Sequence, residues 1–195
     1  NNLNYLGHLA LSGSDPHILF GNFIADSIKG KSYLNWPKKI QKGILLHRFI
    51  DNFTDTNIHY LKGKRRFYKE FPKMGGVITD ILYDYLLWKY ELKHLKLNLD
   101  NEINRYYSIL DSFENDMPKN IRYMYGYMKK DDWLNNYKHE IGIKKALHGI
   151  GKRINYSNDL EKSFEILNAS ILDFELEFEL FFDEIKEKTS SFFVD

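Results

Sequence analysis

The 195-residue chain has no cysteine, which rules out disulfide bridges, thiolate zinc sites and cysteine nucleophiles. It also lacks an apolar run near the roughly 18 residues that a membrane-spanning helix needs. No charged-then-apolar leader with a small-residue cleavage site opens it. A soluble, cytoplasmic protein with no membrane partner is the expectation. Internal repeats and low-complexity linkers are absent, so a single domain over 1–195 is expected. The glycines of residues 146–153 are not followed by the Lys-Ser/Thr of a P-loop.

What the chain does have is aromatic bulk: 14 Phe, 14 Tyr and 3 Trp, enough for a dense interior at a length that suits one full core. The net charge of +1 conceals an asymmetry. Residues 1–158 carry 25 Lys and Arg against 16 Asp and Glu, whereas residues 159–195 carry 3 against 11. Either an acidic final helix lies on a basic neighbour, or part of a basic surface stays open to an acidic partner. Residues 62–73, with six basic side chains against one acid, are the most basic stretch. They include Lys64, Arg65 and Arg66.

The residue pattern is helical throughout. Asp15-Pro16 reads as a cap and first turn for a helix over about 17–28 that stacks Asn22 and Asp26 at a spacing of four. Pro37 opens a helical stretch leading into residues 43–55. There, at about 100° per residue, Asp51 falls about 40° and Asp55 about 80° from His47, on one face. Leu45, Leu46, Phe49, Ile50 and Phe53 form a separate apolar stripe. Residues 77–94 read as a long buried helix carrying Asp80 and Asp84, whose nearest basic neighbour in sequence is Lys89. Helices are expected over 97–116 and from about 160 to 188, where Phe164, Leu167, Ile171, Phe174, Phe178 and Phe181 recur at threes and fours. Tyr123, Tyr125 and Tyr127 alternate ahead of a turn capped by Asp131 or Asp132. Residues 146–153 read as a glycine-broken basic segment. The expected fold is an all-α, single-domain helical bundle.

Buried carboxylates are costly unless paired, hydrogen-bonded or bound to a cation, and two side by side repel unless something positive lies between them. Asp26, His47 with Asp51, and Asp80 with Asp84 thus form an all-helical supply of imidazole and carboxylate ligands. Their oxygen-rich character suits Mn²⁺, Mg²⁺ or Fe²⁺. His8, set in the apolar opening of residues 4–12, has poor access to water.

Several blocks, in order, resemble the bacterial acyl carrier protein phosphodiesterases. They are Asn4-Tyr5-Leu6-Gly7-His8-Leu9, Gly21-Asn22-Phe23-Ile24-Ala25-Asp26, His47-Arg48-Phe49-Ile50-Asp51-x2-Thr54-Asp55 and Asp80-x2-Tyr83-Asp84. Trp133-Leu134-x2-Tyr137 and Leu147-x-Gly149-Ile150-x2-Arg153 follow. The resemblance implies an HD-domain-like helical fold, distantly related to metal-dependent phosphohydrolases. It implies Mn²⁺-dependent hydrolysis of the diester joining phosphopantetheine to a serine of holo-acyl carrier protein. Arg48 follows His47 where HD enzymes have aspartate, a variation this family shares. Tyr85 departs from the family pattern, which has histidine after the aspartate.

On residues and resemblance together, the expected metal ligands are Asp26, His47, Asp51 and Asp84, with His8 and Asp80 beside them. Asp26, His47, Arg48 and Asp51 form the catalytic set. Arg48 and Arg153 are expected to clamp phosphate, with Asn22, Lys64, Arg65 and Arg66 contacting substrate. The 62–73 stretch would receive the acidic carrier protein. Two other readings use the same residues. One is a phosphohydrolase of a nucleotide or other small diester; the other is a non-catalytic helical module, for which Phe67, Tyr68 and Phe71 would suit nucleic acid.

Overall fold

The computed structural model describes residues 5–157 and 159–193. Asn4 of the opening block, Asn158 at the charge boundary, and Val194 and Asp195 lie outside the described residues. Among the described residues there are helices and turns but no strand, so the chain is all-α. None of these helices is long and apolar enough to cross a membrane.

Three helices build the site. The first, α1 (Tyr5–Ala10), is short, and its residues Leu6, His8 and Leu9 are buried. Next comes α2 (Pro16–Ile24), which starts as the sequence predicts: the Asp15 carboxylate accepts the N–H groups of His17 and Ile18, with Pro16 in the first turn. It ends four residues sooner than expected, because a tighter 3₁₀ turn, Ala25–Ser27, carries Asp26. The third is α3 (Lys38–Thr56), which follows Pro37 and buries Ile44, Leu46, His47 and Ile50.

The α2–α3 crossing is made by two glycines. A Cβ at Gly21 would run into the Ile40 carbonyl oxygen, and one at Gly43 into that of Ile18. Only bare backbones approach this closely, and the crossing sets Asn22, next to Gly21, against His47, one turn beyond Gly43.

After α4 (Ile58–Arg65), the long α5 (Gly75–His94) runs through the core and buries Asp80 and Asp84 with Ile78, Leu82, Leu86 and Trp88. It is followed by α6 (Leu99–Ser112), α7 (Lys119–Lys130), α8 (Trp133–Asn136) and α9 (Glu140–Arg153). The alternating tyrosines belong to α7, where Tyr125 is buried while Tyr123 and Tyr127 face outward. The glycines of 146–153 do not break α9. Each costs a helix only about 1 kcal/mol, which packing offsets.

The stretch expected as one final helix is divided at Ser170, at φ −134°, into α10 (Ser163–Ala169) and α11 (Ile171–Thr189). Phe164, Leu167, Phe174, Phe178 and Phe181 stay buried on both sides of the break. The acidic helix does lie on basic neighbours. Glu177 accepts two bonds from the Arg66 guanidinium at 2.6 and 2.7 Å and pairs with Lys62 at 2.9 Å, while Glu179 pairs with Lys93 at 2.8 Å.

Candidate metal centre

The centre is organised from beneath by Asn22, which is fully buried. Its amide nitrogen donates to the His8 carbonyl at 3.0 Å and to Ser12 Oγ at 2.9 Å. This leaves Oδ1 facing two imidazoles, with His8 Nδ1 and His47 Nδ1 each 3.0 Å away. An amide oxygen only accepts, so both rings carry hydrogen on Nδ1 and turn Nε2 to the other side. The rings stack with centroids 4.1 Å apart. Orienting ligand histidines through the second ring nitrogen is how proteins preset a metal site.

Above the rings stand two carboxylates. Asp51, one turn after His47 on α3, places Oδ1 3.3 Å from His8 Nε2 and Oδ2 3.3 Å from His47 Nε2. Asp26 places Oδ1 3.5 Å from His47 Nε2. One ligand atom from each of His8, His47 and Asp51 lies within 4.8 Å of the others. The approach to His47 Nε2 lacks hydrogen-bond geometry, and that buried atom has no hydrogen-bond partner.

The electrostatics call for a cation. Burial lowers the His8 pKa, and the adjacent His47 lowers it further. Burial works the same way on His47, but the facing Asp26 and Asp51 overcome it and lift that group to about 9. Burial disfavours ionisation of both carboxylates, yet the imidazoles hold Asp26 below its ordinary value and Asp51 well below it. Without a metal, one proton shared at His47 is the cation that keeps this cluster together. Two imidazole nitrogens and acceptor-only carboxylate oxygens around an unsatisfied buried nitrogen fit a borderline or hard divalent ion.

A family model for acyl carrier protein phosphodiesterases matches residues 3–185. The chain belongs to this family. Curated proteins named acyl carrier protein phosphodiesterase are similar to it along nearly their whole length. That of Photorhabdus laumondii is 24% identical over 193 residues, covering 97% of this chain and 96% of the relative. That of Pectobacterium atrosepticum is 25% identical over 186 residues, covering 95% and 96%. No solved structure matches the chain.

The remaining expected site residues of this family member lie elsewhere. Asp84 accepts the backbone N–H groups of Leu6 at 3.1 Å and Gly7 at 2.9 Å, tying α1, and with it His8, to α5. Asp80 accepts the Tyr60 hydroxyl at 2.7 Å, and burial lifts its carboxyl to about 7. Neither joins the imidazole cluster. Arg48 donates to the Ile28 carbonyl at 2.9 Å and lies over the Tyr33 ring, pinning the loop after Asp26. Asn22, expected at the substrate, is sealed below the rings. Arg66 is held by Glu177, and Lys64 lies over the Tyr60 ring, whereas Arg65 is exposed. Arg153 is exposed at the edge of a cavity. Tyr85 packs edge-on against Phe164, with Lys89 over its face.

Ser12 is the contributor that sequence reading missed. Its buried hydroxyl donates to the His8 carbonyl at 2.8 Å and fixes the Asn22 amide. The turn residues around it gave no sign of this role.

Proposed function

We propose that the protein is a cytoplasmic, metal-dependent phosphodiesterase. Its substrate is holo-acyl carrier protein, hydrolysed at the phosphodiester between phosphopantetheine and serine. The observation that carries the reading is the unsatisfied His47 Nε2, aimed with His8 Nε2 at the Asp51 and Asp26 carboxylates, in a chain of this family. The relatives' name supplies the substrate.

His8, His47 and Asp51 would hold the ion, with Asp26 beside them; Mn²⁺ is the ion proposed. When bound, such an ion supplies Lewis-acid activation of water and neutralises charge at phosphorus. Asn22 keeps both Nε2 lone pairs directed at one point. Asp84 and Asp80 are assigned structural roles, holding α1 and Tyr60. The Asp26 and Asp51 side chains are each 30% exposed while the imidazoles are 7–8% exposed, so substrate approaches from the carboxylate side. There Asp26, kept ionised, accepts a proton from the attacking water. The water oxygen bonds to phosphorus and the bond from phosphorus to the serine oxygen breaks. That oxygen takes up the proton that Asp26 received, which returns Asp26 to its ionised form and gives apo-carrier protein and free phosphopantetheine.

Intact-mass measurement of holo-carrier protein incubated with enzyme and Mn²⁺ tests this. Loss of the phosphopantetheine mass, abolished by chelation and by Asp26→Ala, is expected. An unchanged mass with metal bound would overturn the substrate assignment.

A further inference from the structure

A cavity of about 650 Å³ opens between α5, α8 and α9, and nothing above gives it a use. It is far too large for a phosphate alone and within the range of about 300–1,000 Å³ typical of sites for organic ligands. Ile81, Trp133, Tyr137 and Ile141 make an apolar wall, and Lys145 and Arg153 supply charge. Lys145, Gly149 and Arg153 follow at fours along α9 and so share a face, with the two cations about 12 Å apart along the axis at 1.5 Å per residue. Between them Gly149 leaves a gap, since a Cβ there would meet nothing within 4 Å. Neither cation has an ion-pair partner among the described residues. The two late blocks of the family resemblance supply five of the lining residues: Trp133, Tyr137, Gly149, Ile150 and Arg153.

The Tyr5 hydroxyl, raised to about 12 chiefly by burial, is acted on by Asp26 of the centre and by Arg153 of the cavity. Tyr137, in the cavity wall, is in turn within electrostatic reach of Tyr5. The Tyr5 ring of α1 is thus within electrostatic reach of both sites.

We infer that this cavity binds the organic arm of the scissile diester, an amphipathic, amide-bearing chain, with its phosphate end at Arg153 and its body along the Trp133–Tyr137–Ile141 wall. This deepens the proposed function and rests on it for the identity of the arm. The Asp131 carboxylate and the Asn136 amide oxygen, also in the lining, offer acceptors for the amide N–H groups of such a chain, while the Asn136 amide nitrogen donates to the Asp131 carbonyl at 2.6 Å.

The test is calorimetric titration of the metal-free protein with 4′-phosphopantetheine and, separately, with pantetheine lacking the phosphate. Gly149→Trp, which fills the gap, should weaken 4′-phosphopantetheine at least tenfold and raise the KM for holo-carrier protein more than it lowers kcat. Metal titration of the same variant checks that the centre is intact. Arg153→Gln should bring the two probes to equal affinity. Equal binding of 4′-phosphopantetheine by the wild type and Gly149→Trp, or no binding by the wild type, would overturn the assignment even if holo-carrier protein is hydrolysed. If holo-carrier protein is not hydrolysed while the probe binds and Gly149→Trp abolishes it, the cavity assignment stands and the proposed reaction falls.

Discussion

At the scale of single residues, the centre depends on Asn22, a side chain that touches no metal. Asn22→Ala removes the acceptor that fixes both imidazoles, and metal affinity should fall by about 10–100-fold, read by calorimetric titration. An unchanged affinity would mean that the rings are oriented by packing alone. His47 sets the pH response. Standing at about 9 without metal, it carries a proton at neutral pH that an incoming ion must displace. Affinity should therefore climb towards tenfold per pH unit from pH 7 and level off above about 9. About one proton should be released per ion, measurable in buffers of differing ionisation enthalpy. In the metal-free fold the same raised value contributes stability that is full below the ordinary 6.5 and is lost as pH rises through about 9. Residue patterns made part of this centre legible. The His47–Asp51 spacing placed both on one face, and an apolar setting marked His8 as shut off from water. For Asp84 and Asp80, sequence reasoning saw that buried acids need partners. It could not see that these are backbone N–H groups 78 and 77 positions away and a hydroxyl 20 positions away.

At the scale of elements, the Gly21–Gly43 crossing controls how close α2 comes to α3. Gly43→Ala drives a methyl into the Ile18 carbonyl, a backbone contact that cannot rotate away. A cost of about 1–3 kcal/mol is expected, lowering Tm by roughly 2–4 °C per kcal/mol for a chain of this size. Metal affinity should drop as Asn22 and His47 separate. A Tm within a degree of the wild type would show that the helices cross with slack. The long apolar period of α5 was readable because it is local; that of α3 was readable in part, since Leu46 and Ile50 are buried while Phe49 and Phe53 are half-buried and Leu45 is exposed. The Ser170 break was not, because Phe164, Leu167, Phe174 and Phe178 keep a helical period across it and only tertiary packing bends the chain. The glycines of α9 misled for the opposite reason: a local helix-weakening signal is outweighed by burial of Ile143, Leu147 and Ile150.

At the scale of the whole molecule, the opposite charges of body and tail largely meet each other, since α11 takes up Lys62, Arg66 and Lys93. In the basic stretch Arg66 is held by Glu177 and Lys64 is half-buried, while Arg65, Lys69 and Lys73 lie on the surface, as does Lys62 with its Glu177 partner. Reversing two of them, Arg65→Glu with Lys69→Glu, should raise the KM for holo-carrier protein about tenfold with little change in kcat. The effect should shrink as added salt shortens the screening length towards about 3 Å at 1 M. A KM insensitive to the reversal would move the docking surface elsewhere. The Asp84 clamp on α1 also has a consequence for the order of assembly during synthesis. Every side chain of the centre, from His8 to Asp51, has been made by residue 51, yet the carboxylate that holds α1 in place comes 33 residues later, at Asp84. A nascent chain halted before α5 therefore carries all the ligands without the clamp that seats His8, and its hold on metal should tighten once α5 has emerged and docked.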